Sequence, residues 1–496
     1  MKSLKLLKLL SFFVFVIFII SMLLISCAEK TNNNDSNSGE TVNNNDAENN
    51  GETDAADEEY SMIEDRLKVS DGIEEEDMEG MKFRVIYRNN FYSKELFIED
   101  ETGENVEDAI YLRNKKIEER FNINFVPMAA ASPEKDALKS VRSGDDAYDL
   151  VVTHMIELAG SSLSNPYIDW NSVPAINLSQ RWFLQDAVKE MSVNNKLYVV
   201  PGEYCLSILY NSYCMYFNKT LVQNYGIENP YRLVLDGKWT LDKLYEITKD
   251  LYQDIDNDGK KSAGDFYGLA TNHWSAAVTY TYSSGMRIMQ INENGIPENV
   301  VPNEKILNNF TKVYNLLVNN PGAFAGDWGE DGGIYRNNRA VFLNDLFSTA
   351  KSFRTLEDDF GIIPYPKFDE AQDKYYTMSD GGSSMMAIPS TVKDQNRTGK
   401  IVSALNAESW KTVVPQYYDI ALKIKFTRDD ESMQVLDMLL DGRTFDFGYI
   451  YDNWQGYAFY IQDLISKKSD GIASWFEKRQ GSAEKNLTKV LKSFED

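Results

Sequence analysis

Histidine and cysteine are scarce in this sequence, which has two histidines and three cysteines among its 496 residues. With His154 and His273 alone, a His-rich zinc site or a Ser-His-Asp catalytic triad lacks parts. The sequence also lacks the Gly-rich loop that cradles phosphates in nucleotide-binding proteins. These absences weigh against the commonest hydrolase and nucleotide-binding machineries.

Basic residues are also few, because 51 Lys and Arg stand against 76 Asp and Glu, a formal net charge of −25. Residues 28–80 contain 18 acidic and 3 basic residues, whereas the first 27 residues carry +3. About −13 therefore remains for residues 81–496. An acidic body argues against nucleic acids and anionic ligands as partners. It is also too long for one ordinary core, which suggests two lobes.

The N-terminus has a basic start, a short apolar run and a small residue before a cysteine. Three lysines precede the apolar run of residues 9–25, and the sequence Leu-Ile-Ser-Cys ends at Cys27. This order is typical of an export signal, and a membrane-spanning helix needs a longer run of roughly 20 residues. A transmembrane anchor is the alternative. The end of the run resembles a bacterial lipobox, which implies a signal peptide over residues 1–27 and two acyl chains on Cys27 that hold the protein at the membrane.

Residues 28–80 have hardly any large apolar side chains and are dominated by Asn, Asp, Glu, Gly and Ser. Such a segment buries too little apolar surface to offset its chain entropy. We therefore predict a disordered acidic linker that extends by self-repulsion and lifts the domain off the membrane. A binding role for the acidic run is the alternative.

Cys205 and Cys214 remain once Cys27 is assigned to the lipid. A disulfide is conceivable in an exported protein, but two cysteines nine residues apart on adjoining predicted strands do not compel one. Both outcomes stay open.

Strand and helix patterns alternate after the linker. Residues 81–87, 123–127 and 148–153 have the composition of strands, and residues 108–121 have helical spacing. This alternation predicts βαβ units with a parallel sheet. Further along, residues 196–200 and 215–217 have strand composition, and Thr240 precedes helically spaced leucines as a predicted N-cap.

Several segments resemble the sugar-carrying family 1 of extracellular solute-binding proteins of ABC importers. Gly-Asp followed by Tyr-Asp-Leu-Val at residues 144–151 resembles the opening lobe of this family. Residues 360–367 (FGIIPYPK) resemble its return crossover, and residues 380–389 resemble the strand that completes the first lobe. Residues 441–449 resemble the closing segment of clostridial-type members.

The resemblance implies an α/β, periplasmic-binding-protein-like fold of type II, whose parallel-dominated sheets form two lobes joined by a multi-crossing hinge. It assigns residues 81–204 and 365–410 to the first lobe, and residues 205–364 and 411–496 to the second. The implied function is capture of a sugar or oligosaccharide between the lobes and delivery to an ABC permease. The implied protein is a monomer, lipid-anchored on the extracellular face of the cell membrane, in keeping with a Gram-positive bacterium.

Ligands of parallel α/β sheets bind beyond the carboxyl ends of the strands. That rule and the resemblance together predict the ligand-binding residues Asn89, His154, Glu203, Tyr204, Trp274, Asp345 and Phe347. In particular, Trp274 follows a short strand and resembles the sugar-stacking platform of the family. A buried core tryptophan is the alternative.

An acidic loop carries the most specific local motif. Acidic, glycine and hydroxyl residues fall at positions 1, 3, 5, 6, 9 and 12 of an EF-hand-type loop, which are Asp254, Asp256, Asp258, Gly259, Ser262 and Asp265. Alternating oxygen ligands wrap a hard cation, and Lys260 would add its carbonyl oxygen. Position 12 departs from the motif with Asp in place of Glu, and no second loop pairs with this one. We predict structural calcium, with an acidic surface turn as the alternative.

Two other functional classes compete with the binding protein. A secreted carbohydrate-active hydrolase needs only a suitably spaced carboxylate pair, although nothing in the sequence singles one out. A surface adhesin is the other alternative, but it would not need a two-lobed domain with an aromatic cleft. We therefore expect no enzyme activity.

Overall fold

The computed structural model describes residues 65–353, 355–417, 430–452 and 454–495. The predicted signal peptide, the predicted lipidation site Cys27 and linker residues 28–64 lie outside the described residues. Within the described part of the chain, no helix has both the length and the apolar character needed to cross a membrane.

The strands of the described residues are listed here in chain order: β1 (Met81–Arg88), β2 (Ile123–Ala130), β3 (Leu150–His154), β4 (Tyr213–Asn218), β5 (Tyr252–Gln253), β6 (Phe266–Asn272), β7 (Met289–Ile291), β8 (Pro297–Asn299), β9 (Ala323–Gly326), β10 (Ala340–Leu346), β11 (Phe360–Ile363), β12 (Thr377–Met378), β13 (Ser384–Ala387) and β14 (Arg443–Thr444).

The first sheet has the strand order β13-β3-β1-β2. β1 pairs in parallel with β2 and β3, and β13 pairs antiparallel with β3. The continuous apolar run of Leu150, Val151 and Val152 in β3 is fully buried, as expected for a strand inside a parallel sheet. This sheet confirms the predicted βαβ pattern of the N-terminal half.

The second sheet has the order β11-β4-β10-β6-β5, with β9 also beside β6. β9 and β10 pair in parallel with β6, whereas β4, β11 and β5 pair antiparallel with their neighbours. The chain passes from the first sheet to the second between β3 and β4, and it returns between β11 and β13. Two short ribbons, β7 with β8 and β12 with β14, lie outside the sheets.

The α-helices of the described residues are α1 (Asn105–Phe121), α2 (Pro133–Ser143), α3 (Met155–Ser162), α4 (Gln185–Met191), α5 (Ser207–Tyr210), α6 (Lys219–Asn224), α7 (Pro230–Leu235), α8 (Leu241–Thr248), α9 (Ser275–Ser283), α10 (Glu304–Tyr314), α11 (Glu330–Arg336), α12 (Gln395–Glu408), α13 (Asp430–Asp441), α14 (Phe447–Ile450), α15 (Tyr460–Ser466), α16 (Ile472–Glu477) and α17 (Gln480–Lys492). Short 3-10 helices cover Phe91–Glu95, Trp170–Ser172, Phe347–Phe353 and Tyr457–Phe459, and π-helical turns cover Asn315–Asn319 and Ser409–Val413.

The helices pack on the two sheets to give two lobes. α1, α2 and α12 belong to the first lobe, where α1 packs on β2 and α12 packs on α1. α8, α9 and α11 pack on β6 in the second lobe, and α13 packs on β11. The Thr240 side chain accepts a hydrogen bond from the Lys243 backbone N–H at 3.2 Å, which confirms the predicted N-cap of α8.

The predicted C-terminal boundary of the disordered linker, residue 80, lies too far along the sequence. Met78 is buried in the main apolar core, and the Asp71 carboxylate pairs with the guanidinium of Arg120 on α1. A few apolar side chains and one ion pair therefore attach residues 69–80 to the first lobe, although acidic residues dominate their composition.

Two further predictions concern the segment between β3 and β4 and the start of β4 itself. The predicted strand at residues 196–200 is wrong, because these residues form only isolated bridges, Lys196 with Val193 and Val200 with Met386. Cys205 and Cys214 are both buried free thiols, so the structure contains no disulfide between them.

Candidate functional site

Carboxyl ends of parallel strands from both sheets lead to residues at one cleft. In the first lobe, β1 leads directly into the 3-10 helix Phe91–Glu95. In the second lobe, β9 is followed by Trp328 and β10 by Phe347. Phe91, Trp328 and Phe347 all line one cavity, as expected for binding sites in open α/β sheets.

The cavity has a volume of about 540 Å³ and is mostly apolar. Six aromatic side chains line it: Phe91, Tyr92, Tyr210, Trp328, Phe347 and Tyr417. Pockets of 300–1,000 Å³ with mainly aromatic walls and a few polar groups are typical of small-molecule sites.

A chain of ring contacts connects the two lobes across this cavity. The ring of Tyr92 lies 4.1 Å from that of Phe91 and stacks on Tyr210 at 6.1 Å, centroid to centroid. Tyr210 contacts Tyr417 at 6.0 Å, and Tyr417 contacts Phe347 at 5.7 Å. The aromatic wall is therefore continuous from the first lobe to the second.

Two of these aromatic residues are largely exposed to solvent. Phe91 is 72% exposed and Trp328 is 60% exposed, although both are large apolar residues. Exposed aromatic surface at a cavity mouth indicates a binding surface, because a protein gains nothing from leaving it in water. Phe91 and Trp328 are therefore available to a ligand.

Polar groups lie behind the aromatic wall. The hydroxyl of Tyr92 accepts a hydrogen bond from the Asn211 side-chain amide at 2.8 Å. The guanidinium of Arg88 stacks on the Tyr92 ring at 4.0 Å and donates to the Gly382 carbonyl. Asp380, which also lines the cavity, accepts from the Gly382 N–H at 2.8 Å. Tyr92 is thus fixed in orientation from both sides.

Glu95 is a buried carboxyl group in the cavity lining. It accepts a hydrogen bond from the backbone N–H of Ser207 at 2.6 Å and another from the hydroxyl of Ser384. Burial raises the pKa of Glu95 above its ordinary value. Because Ser207 lies on the first passage between the sheets and Ser384 follows the second, Glu95 joins both passages.

Of the predicted ligand-binding residues, Phe347 lines the cavity. Asn89 follows β1 and is exposed, with its backbone N–H bound to the Ala130 carbonyl. His154 ends β3 beside Gly382, and burial lowers its pKa. Neither Asn89 nor His154 is among the residues that line the cavity.

Glu203 and Tyr204 pack inside the protein, and neither lines the cavity. Glu203 forms an ion pair with Arg443 at 3.4 Å. The Tyr204 ring lies 4.5 Å below the guanidinium of the buried Arg113. Their burial is explained by these two cationic partners, so the structure gives both residues a place in the core.

Trp274 and Asp345 lie at the carboxyl edge of the second sheet without lining the cavity. Trp274 is 43% exposed, which rules out the alternative of a buried core tryptophan. Asp345 is the last residue but one of β10, before Leu346 and Phe347, and burial raises its pKa to about 7.

Sequence reasoning missed five of the six aromatic residues in the cavity. Trp328 had a usable signal, because it follows a short apolar strand just as Trp274 does. Tyr210 and Tyr417 had none, because they meet only through the folding of distant segments.

The acidic loop brings three of its predicted calcium ligands together. Oxygen atoms of Asp254, Asp256 and Asp265 all lie within 4.8 Å of one another. The backbone hydrogen bond from Asp258 lowers the pKa of Asp256, but desolvation and the neighbouring carboxylates outweigh it, so the pKa lies above its ordinary value. The Asp258 carboxylate instead accepts from the backbone N–H of Lys260 at 2.7 Å.

Ser262 and Gly259 shape this loop. The Ser262 backbone N–H donates to Asp265 at 2.9 Å, and the Gly259 N–H donates to Asp254 at 2.9 Å. Gly259 has a φ of 74°, the left-handed conformation that glycine adopts without strain. The turn therefore folds back so that the carboxylates of positions 1, 3 and 12 converge.

No protein-family model and no curated protein matches this sequence. Solved structures do match its fold. A cyclo/maltodextrin-binding protein complexed with maltotetraose aligns with a TM-score of 0.53 at 13% identity, over 84% of this chain and 97% of that one. The maltose/maltodextrin-binding domain MalE from Bdellovibrio bacteriovorus, bound to maltotriose, gives 0.51 at 12% identity, over 84% and 100%.

The ABC substrate-binding protein Lmo0181 from Listeria monocytogenes, in complex with cycloalternan, gives 0.50 at 12% identity, over 84% and 100%. At such identities the similarity is one of fold. The predicted class is confirmed: this chain has a two-lobed, periplasmic-binding-protein-like α/β fold.

Proposed function

We propose that this protein captures a sugar or oligosaccharide between its two lobes and delivers it to an ABC importer. The observation that carries this proposal is the aromatic cavity of about 540 Å³, lined from both lobes. The three structural neighbours described above are bound to maltotetraose, maltotriose and cycloalternan, which supports a saccharide as the ligand.

The chemistry of the lining suits a sugar. A pyranose ring has apolar C–H faces that stack on aromatic side chains, while its hydroxyl groups need hydrogen-bond partners. Phe91 and Trp328 offer exposed rings, and Tyr92, Asn211 and Asp380 offer polar groups in the same cavity.

The charges around the cavity favour a neutral sugar over an acidic one. Lys94 lines the cavity but forms an ion pair with Glu107 at 2.8 Å. Glu95 and Asp380 add two carboxyl groups, against Lys351 as the other cation of the lining. An anionic sugar would therefore meet little unopposed positive charge.

Hinge closure is the mechanism that we propose. A ligand that contacts Phe91 in the first lobe and Trp328 in the second stabilises the arrangement in which both touch it. The permease would then recognise that closed arrangement. We further propose that the protein is a monomer, tethered by a lipid on Cys27 to the extracellular face of the membrane.

We also propose that the acidic loop binds a structural calcium ion. The convergence of Asp254, Asp256 and Asp265 supports the site, with Asp258, Lys260 and Ser262 as further ligands expected from the motif. The ion would supply positive charge that neutralises these carboxylates and stiffens the loop before β6.

The test is isothermal titration calorimetry of the full chain in detergent against a panel of neutral mono- and oligosaccharides, with uronic acids as the charged comparison. We expect one neutral class to bind, and Phe91→Ala and Trp328→Ala to weaken that binding. Tyr245→Ala is the matched control, because Tyr245 is a partly exposed aromatic residue outside the cavity. Absence of binding, or release of shorter products during incubation, would overturn the proposal.

A further inference from the structure

Trp274 and Trp328 occupy equivalent positions in the loops that follow two neighbouring strands. β6 and β9 run parallel, and their register pairs Asn272 with Gly326. Each tryptophan lies two residues beyond its member of that pair. Because neighbouring strands lie about 4.8 Å apart, the two indole-bearing loops leave the sheet side by side.

Direct contacts hold the two loops together. The backbone N–H of His273 donates to the Gly326 carbonyl at 3.1 Å. The His273 imidazole lies 3.3 Å from the Asp327 carboxylate and 5.3 Å from the Trp274 ring. The loops after β6 and β9 therefore form one surface rather than two independent turns.

Two buried polar side chains link the loops from behind. The Asn272 side chain accepts from the Trp274 backbone N–H at 3.1 Å and donates through Nδ2 to Asp331 at 2.8 Å. The other oxygen of Asp331 accepts from the backbone N–H of Gly329, the residue after Trp328, at 3.2 Å. Asn272 and Asp331 are each only 3% exposed.

We propose that Asn272 and Asp331 are positioning residues that hold Trp274 and Trp328 as one composite platform, and that a bound oligosaccharide extends from the cavity across both indoles. This proposal rests on the proposed sugar-binding function. Trp328 lines the cavity whereas Trp274 lies outside it, so the platform leads from the cavity outward. Its ligand is an oligosaccharide with at least one sugar residue beyond the cavity.

Burial of Asp331 makes the pair sensitive to substitution. Its carboxylate has the amide N–H of Asn272 and the backbone N–H of Gly329 as partners; the first bond is buried and the second is partly buried. A buried donor that loses its acceptor bears the full cost of desolvation. Exchange of one partner alone should therefore loosen the link between the two tryptophan-bearing turns.

The first experiment uses no ligand. Indole N–H signals of the ¹⁵N-tryptophan-labelled full chain are assigned with Trp274→Phe and Trp328→Phe. Asp331→Asn leaves one amide oxygen for two donors, the Asn272 amide and the Gly329 N–H, and Asn272→Asp places two carboxyl groups against each other, so each single variant should shift both indole signals. The double exchange Asn272→Asp with Asp331→Asn restores one donor facing one acceptor and should return both signals. A shift of one indole alone, or no recovery in the double variant, would overturn the positioning role.

The second experiment measures the dissociation constants of a disaccharide and a tetrasaccharide of the sugar class selected by calorimetry. In Trp274→Ala, the tetrasaccharide should lose about tenfold in affinity, equivalent to about 1.4 kcal/mol, and the disaccharide much less. In either single variant, which also displaces Trp328 of the cavity lining, both sugars should lose affinity and the tetrasaccharide should lose more. The double exchange should recover the tetrasaccharide affinity. Equal losses for both lengths would overturn the extension across Trp274.

The outcomes of the two experiments distinguish failure of the proposed function from failure of the composite platform. If no sugar of the panel binds, the proposed function and the extended ligand fall together, while the indole signals still decide the positioning role. If a sugar binds with no dependence on length, the proposed function stands and the composite platform falls.

Discussion

The buried carboxyl group of Glu95 accepts a hydrogen bond from the backbone N–H of Ser207 at 2.6 Å, and so joins the 3-10 helix after β1 to the first passage between the lobes. The hydroxyl of Ser384, at the start of β13, donates to the same carboxyl group. Arg88 donates in turn to Ser384 at 2.7 Å. One buried acidic side chain therefore connects both places where the chain passes between the sheets.

We predict that Glu95→Ala lowers the free energy of unfolding by about 1–3 kcal/mol, because the Ser207 N–H loses its buried acceptor. Urea denaturation followed by circular dichroism measures this change. Glu107→Ala is the control, since Glu107 also lines the cavity but forms an exposed ion pair worth at most about 1 kcal/mol. Equal destabilisation by the two substitutions would contradict a special role for Glu95.

Asp345 gives a prediction about pH. Its folded pKa of about 7 lies above its ordinary value of 3.8, because burial disfavours the carboxylate. The stabilising contribution of the protonated group is thus complete below about pH 3.8 and is lost as the pH rises through about 7. Asp345→Asn stays neutral throughout, so its stability relative to the unmodified protein should increase between pH 4 and pH 8, by up to about 4 kcal/mol.

Urea denaturation at one-unit pH intervals checks this expectation. Asp242→Asn serves as the control, because it removes an exposed carboxylate of the second lobe whose ion-pair partner is a lysine and not a histidine. A difference between Asp345→Asn and the unmodified protein that stays constant with pH would show that Asp345 remains ionised in the fold.

Much of the fold was predictable from the sequence, and most of the cavity was not. β1, β3 and α8 follow from local apolar periodicity and, for α8, from the cap at Thr240. The same local reading failed at residues 196–200, where apolar residues enter the core without a strand partner along their length. Burial there comes from tertiary packing, which a periodicity rule does not detect.

The cavity depends on contacts between segments that are far apart in the sequence. Tyr92, Tyr210 and Tyr417 belong to three such segments, and none of them stands in a periodic pattern that points to a ligand. Trp328 differs, because the rule that selected Trp274 after β6 also applies after β9. The carboxyl ends of parallel strands are therefore the part of the site that sequence reasoning can reach.

Tyr92→Phe tests the polar side of the cavity. The substitution keeps the ring that stacks on Tyr210 but removes the hydroxyl that accepts from Asn211. We expect sugar affinity to fall by about threefold to tenfold, since one hydrogen bond contributes about 0.5–1.5 kcal/mol. Calorimetry with the selected sugar measures the loss.

The control for Tyr92→Phe is Tyr376→Phe, which removes a hydroxyl bound to Asp373 at 3.1 Å outside the cavity. This control should leave sugar affinity unchanged. If Tyr92→Phe also leaves it unchanged, the Tyr92 hydroxyl is no part of the binding surface, and the aromatic walls alone hold the ligand.

The acidic loop gives the last prediction. Three carboxylates that lie within 4.8 Å of one another repel until a cation neutralises them, so calcium should bind the folded loop and raise the melting temperature. At 100 times its dissociation constant, an ion that binds only the folded state adds about 2.7 kcal/mol to stability. Differential scanning calorimetry with calcium and then with excess chelator measures the shift. Asp256→Asn should abolish it, whereas Asp250→Asn, an exposed carboxylate just before the loop, should preserve it. If calcium leaves the melting temperature of the unmodified protein unchanged, the loop is an acidic surface turn and not a calcium site.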